Sequence, residues 1–154
     1  MKHKNKPIEC GFTLIELMVV VVIVAVFAAI AIPSYQSYVR HTQFSQAQQE
    51  MQRLANELEK WKSRNFNYLG FNVAVSTTIP TYSIIIRDGD DFSKKLTDTS
   101  VNGQSWIIQA VNSDGLNFSL VMTSAGVQCK NKTKANITII KANDTKCGVG
   151  GESW

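Results

Sequence analysis

Residues 12–32 form an unbroken run of 21 positions in which only Thr13 and Glu16 are not apolar. As an α-helix at 1.5 Å per residue, such a run is roughly 30 Å long, the thickness of a bilayer's hydrocarbon core. A helix also satisfies its own backbone hydrogen bonds inside lipid. Lys2, Lys4 and Lys6 precede the run, and no lysine or arginine follows it until Arg40. That asymmetry predicts residues 1–11 on the cytoplasmic side and the rest of the chain exported. The 154 residues make one domain's worth of chain. With 44% hydrophobic residues, nine glycines and three prolines, it is neither wholly disordered nor collagen-like. The net charge of +4 falls to +2, thirteen basic against eleven acidic side chains, once residues 1–11 are set aside. Charge balance by itself therefore argues little for nucleic-acid binding.

An ordinary secretory signal is the rival reading, because Ala29-Ile30-Ala31 has the small-x-small pattern of a cleavage site. The run is longer than a typical signal core, and it carries a carboxylate. A charged group at the centre of a membrane helix costs about 2.5–3.5 kcal/mol. Glu16 is tolerated if it is wetted near the interface and helped by the helix dipole. A cut between Gly11 and Phe12 gives it a further purpose. The new α-amino cation would lie four residues before Glu16, and the two would neutralise each other on one helix or between neighbouring chains.

A Lys-rich leader, Gly11, then Phe12-Thr13-Leu14-Ile15-Glu16-Leu17-Met18 and an apolar run to Pro33 resembles a bacterial type IV prepilin, most closely over residues 11–38. The resemblance implies cleavage after Gly11 by prepilin peptidase, N-methylation of Phe12, and pairing of Glu16 with a neighbouring subunit's Phe12 amine during assembly. It implies a helix break at Pro33 within the filament. The implied partners are other pilin subunits and an inner-membrane assembly platform, with no cofactor and no metal. The stretch Ser63-Arg64-Asn65-Phe66-Asn67-Tyr68-Leu69-Gly70, with Leu54-Ala55 upstream, is similar to minor pilins and pseudopilins rather than to the best-known major pilins.

Beyond Pro33 the pattern becomes periodic. Phe44, Ala47, Met51, Leu54, Leu58 and Trp61 recur at spacings of 3 and 4, a helical seam that faces either a core or a coiled-coil partner. Fewer than four heptads are present, which favours the core. Glu50 with Arg53 and Glu57 with Lys60 are spaced for pairs on the helix surface. Strand alternation follows at Tyr82-Ile84-Ile86, at Trp106-Ile108-Ala110 and at Leu116-Phe118-Leu120-Met122. Asp114-Gly115 predicts a hairpin between the last two, and Ile137 with Ile139 suggests a weaker fourth strand. The expected fold is α+β and type IV pilin-like: a long N-terminal helix packed on a three- to four-stranded antiparallel sheet, with a disulfide-stapled C-terminal loop. The expected parts are a leader at 1–11, a membrane and filament-core helix at 12–32, an amphipathic half-helix at 33–62 and a periplasmic head at 63–154.

Removing Cys10 with the leader leaves Cys129 and Cys147. In an oxidising periplasm they are expected to bridge, and in a reducing compartment they would be free thiols. Between and beside them Lys130, Lys132, Lys134, Lys141 and Lys146 form a basic run opposed by Asp144. It reads as a solvated loop or as a contact for DNA phosphates. No aromatic interleaves these lysines in the sequence, which removes a stacking platform. Asp88-Gly89-Asp90-Asp91 lacks the spacing of a calcium loop and reads as a turn with solvated carboxylates. His41 is the sole histidine beyond the leader, and no catalytic triad, Cys/His pair or phosphate loop is evident, so no enzymatic role is expected. The functional expectation is a structural subunit of a type IV pilus at the inner membrane and then the cell surface, specifically a minor pilin. By resemblance it would serve twitching motility, adhesion to a host surface or DNA uptake. The alternatives are a type II secretion pseudopilin, a major pilin and a membrane-anchored DNA-binding module.

Overall fold

The computed structural model describes residues 11–75, 79–138, 140–142, 144 and 146–154. The leader lysines, Cys10 and Ile139 lie outside the described residues. The chain divides between Val39 and Arg40 into two compact units. A single helix, α1 (Leu14–Asn65), contributes to both.

The start of α1 is fixed locally. The Glu16 amide donates to Thr13 Oγ1 at 3.3 Å, and the Thr13 hydroxyl lies 3.5 Å from Glu16 Oε2. The order Thr-x-x-Glu is that of a capping box. In this N-terminal unit the large side chains from Phe12 to Ile32 are exposed, Phe12 at 82% and Ile30 at 70%. The helix runs through Pro33 without interruption. At its far end Phe66 takes a left-handed φ of 62°, and its amide donates to the Lys62 carbonyl at 2.7 Å. That single bond is the αL form of helix termination, normally built with glycine. Ser63 Oγ and Asn65 Nδ2 satisfy the Lys60 and Trp61 carbonyls.

In the head unit, Ala47, Met51, Leu54 and Leu58 are fully buried, and Phe44 and Trp61 pack at the ends of the same stripe. The seam faces a core made within the chain. Five antiparallel strands lie in chain order: β1 (Tyr82–Asp88), β2 (Trp106–Asn112), β3 (Ser119–Thr123), β4 (Gln128–Asn131) and β5 (Glu152–Ser153). The register places Ile84 opposite Ala110 and Ile86 opposite Ile108, with Ile108 opposite Met122 in turn. These residues turn one face of the sheet toward the α1 stripe.

The other face differs from expectation. Lys134–Thr138 is a short helix, α2, where the Ile137 pattern had suggested a strand. Ile137, Ile140 and Ala142 cover Ile107, Val121 and Cys129 from behind. All five residues of β3 are consequently buried, so the strand read as half-buried has no solvent face. The strand also begins at Ser119, because Asp114 Oδ1 accepts the amides of Leu116 and Asn117 and turns them out of the ladder. Glu50 is buried and held by a fork from Arg53 at 2.8 and 2.9 Å, while Arg53 also donates to the Ala74 carbonyl at 3.2 Å. Hydrogen bonding to Glu50 raises the Arg53 pKa further.

Cys129 and Cys147 are disulfide-bonded, with Cα atoms 5.3 Å apart and a sequence separation of 18. Closing such a loop contributes about 3 kcal/mol in the chain-entropy picture. From this staple the chain returns as β5 along the outer edge of β4. Trp154 Nε1 donates to the Cys129 carbonyl at 3.0 Å, and the indole packs against the main core, so the last residue closes on its own domain.

Candidate functional site

Two lysines of the expected run share one aromatic ring. Lys130 and Lys132 converge: each ammonium lies 5.4 Å from the centre of the Phe118 ring. Lys134 opens α2, and Lys141 and Lys146 are exposed with no described contact linking them to this ring. The aromatic absent from the lysine sequence is supplied by a neighbouring strand. Ser119 pairs with Asn131, so the residue just before β3 reaches the flanking lysines of β4. Recognising Gln128–Asn131 as a strand would have revealed this, but four polar or small residues carry no strand alternation.

The ring itself is held from below. Phe118 meets Phe44 edge-to-face at 6.2 Å, and Asn117 Nδ2 donates to the Arg40 carbonyl at 2.8 Å. Lys130 additionally pairs with Glu152 at 3.3 Å. Asp144, the acidic residue within the lysine run, accepts the Lys141 backbone amide at 2.7 Å. Lys132 is exposed and Lys130 half-buried, which leaves a cationic surface with an aromatic floor. The ring face attracts both ammonium groups, and the exposed Lys132 presents its charge to solvent.

The acidic turn has a different character from that expected. Asp88 is 1% exposed, and its Oδ2 accepts the amides of Asp90 and Asp91 at 3.1 and 3.0 Å. Asp91 is bonded to Ser93 and Lys94, and the two hydrogen bonds from Ser93, chiefly the hydroxyl, lower its pKa. These carboxylates organise the turn after β1. Among the described residues no group of three or more His, Cys, Asp or Glu is placed to hold a metal ion.

At the N-terminus, Gly11, Phe12 and Glu16 stand together at the start of α1, with Glu16 drawn to Thr13 of its own chain. A long apolar helix start bearing this carboxylate, followed by a disulfide-stapled antiparallel head, defines the pilin class of subunit. Two family models match accordingly. Residues 7–32 match the prokaryotic N-terminal methylation motif, and residues 33–135, two-thirds of the chain, match "Type IV minor pilin ComP, DNA uptake sequence receptor". The chain belongs to this family of type IV minor pilins. No curated protein and no solved structure matches it significantly.

Membership decides for a minor pilin of a type IV pilus over the pseudopilin and major-pilin alternatives. The family is one of structural proteins. The methylation motif makes the chain a prepilin peptidase substrate that assembles with other pilins, and the apolar start of α1 is its single-pass inner-membrane anchor.

Proposed function

We propose that this minor pilin binds DNA through the Phe118–Lys130–Lys132 patch of a periplasmic head, anchored in the filament by the first part of α1. The observation that carries the reading is the convergence of two ammonium groups on one ring. Lys130 and Lys132 contact phosphate oxygens, and because the ring already gathers their ammonium groups, less side-chain freedom is lost on binding. Lys134, Lys141 and Lys146 add to the longer-range positive field without sharing the contact. Lysines on phosphates position a duplex and do not read its sequence. The matched family's description as a DNA uptake sequence receptor supports DNA as the ligand class.

The assembly residues complete the proposal. Residues 1–11 are removed by cleavage between Gly11 and Phe12, and Phe12 is N-methylated. Residues 12–32 form the membrane and filament-core segment, 33–62 the amphipathic half-helix and 63–154 the exported head. Glu16 exchanges its contact with Thr13 for the Phe12 amine of a neighbour as the inner-membrane platform adds the subunit. Pro33, which breaks no helix in the single subunit, is where α1 melts once it is packed in a filament.

DNA affinity of the detergent-solubilised full chain, measured over a range of salt concentrations, tests the patch. Replacing Lys130 and Lys132 by alanine is expected to lower the slope of log affinity against log salt by about 2. The thermal unfolding of the head should stay nearly unchanged. An unaltered slope and affinity would remove the patch from the DNA-binding surface.

A further inference from the structure

The geometry points to a built-in competitor for the DNA-contact patch: the Glu152 carboxylate, presented by β5, occupies Lys130 and is displaced when a phosphate takes its place. The inference rests on the DNA-binding reading above and gives that same patch its regulation.

The two patch lysines are not equivalent. Both ammonium groups lie 5.4 Å from the centre of the Phe118 ring. Lys132 is exposed, and among the described residues no carboxylate pairs with it. The Lys130 side chain is 25% exposed and its ammonium lies 3.3 Å from a Glu152 oxygen, on a carboxylate side chain that is itself 66% exposed. An arriving ligand therefore meets one open cation and one already matched with an anion.

The fold holds Glu152 in this place from both sides. Before it, the Cys129–Cys147 bridge brings the chain back beside β4, and Gly150, at a φ of 70°, lets it double back at once. Gly151 lies so close to the Cys147 carbonyl that a side chain there would collide with it. β5 then sets Glu152 directly opposite Lys130 and Ser153 opposite Cys129. Directly opposed residues project to the same face of a sheet, with their Cβ atoms about 5 Å apart. After it, the Trp154 amide donates to the Gln128 carbonyl at 3.3 Å and the indole to the Cys129 carbonyl at 3.0 Å. The acid is thus a fixed part of the patch. An exposed ion pair is broken at modest cost, so Glu152 lowers the affinity without abolishing it. DNA held by Lys132 keeps further phosphates close to Lys130, and that high local concentration displaces the carboxylate.

Fluorescence anisotropy with a labelled DNA duplex and the detergent-solubilised full chain tests the competitor. Glu152→Gln keeps the side-chain length and the β5 ladder while removing the charge, and it is expected to raise the affinity about fivefold. Glu57→Gln removes the same unit of charge from a different surface pair, with Lys60 at 2.9 Å, and should change the affinity by less than about twofold. In a Lys130→Ala chain, Glu152→Gln should likewise gain less than about twofold, because the acid no longer has its lysine to hold. The inference is overturned if Glu152→Gln gains no more than Glu57→Gln. It is equally overturned if the gain persists undiminished without Lys130, which would make the carboxylate a general source of repulsion. An affinity unchanged when Lys130 and Lys132 are both replaced by alanine would mark failure of the DNA-binding reading instead.

Discussion

The two parts of α1 obey opposite rules. From residue 17 to 32 the helix is apolar on every side, and its large side chains are exposed in the single subunit. From Phe44 to Trp61 it is apolar along one stripe, with Ala47, Met51, Leu54 and Leu58 fully buried. An all-round apolar helix has no inside to turn toward, so its partner must come from lipid or from other chains. A striped helix already has its partner in the sheet behind it. The charged residues follow the same division: Glu50 is closed off by Arg53 within the chain, whereas among the described residues the Glu16 carboxylate has a 3.5 Å contact with Thr13. The anchor is a half-finished interface and the head a finished one.

The difference is sharpest for matched truncations. Leu54→Ala should destabilise the head by about 3 kcal/mol, since it opens a cavity in a packed core. Val22→Ala, in a residue 61% exposed, should leave head stability within about 0.5 kcal/mol. Thermal or denaturant unfolding of the two variants checks this, and comparable losses would break the division. Glu16→Ala probes the unfinished side. Membrane insertion and head unfolding should be unchanged, while incorporation into sheared filaments should fall about thirtyfold, because the partner amine loses its counter-charge in lipid. Normal incorporation would mean that the carboxylate serves the Thr13 capping box and nothing more.

The legibility of the chain follows the same line. Periodicity is a strong signal where one face is buried against another element, and the α1 stripe and the inward faces of β1 and β2 were readable residue by residue. It fails where both faces are covered or where the chain is held by polar bonds. β3 alternates in sequence because its Ser119 and Thr123 are satisfied by hydrogen bonds to Asn112 and Val127, not by solvent. β4 and β5 are held by the ladder, the Cys129–Cys147 bridge and Trp154, none of which imposes a repeat. The anchor glutamate was legible from charge in an apolar run, although its Thr13 cap, equally visible in the spacing, went unread. The lysines were found in sequence, but the ring that gathers two of them comes from across the sheet. Long-range pairing of that kind has no one-dimensional trace.

The smallest effect distinguishes the finished region by its ionisation. Tyr82 is buried at the start of β1, and its hydroxyl donates to the Phe118 carbonyl at 2.6 Å. Burial, and then the charge of Asp114, push its pKa well above the usual phenol value. Tyr68 is raised in the same direction, first by burial and then by its hydrogen bond to Glu59. A phenol raised in the folded state keeps its proton after the unfolded chain has lost it. The folded state is therefore favoured fully below about pH 10, and that preference drains away as the pH rises toward the folded value. For Tyr82 the loss should approach about 1.4 kcal/mol per pH unit once the unfolded phenol is ionised. Lysines also titrate in this range, so the informative quantity is the difference between the native chain and Tyr82→Phe. The variant should be about 1 kcal/mol less stable at pH 7, through the lost bond to Phe118, yet show a shallower alkaline decline. Denaturant midpoints measured from pH 7 to 11 would show the two curves converging. Parallel curves would mean that Tyr82 ionises as readily folded as unfolded, and that the start of β1 is wet.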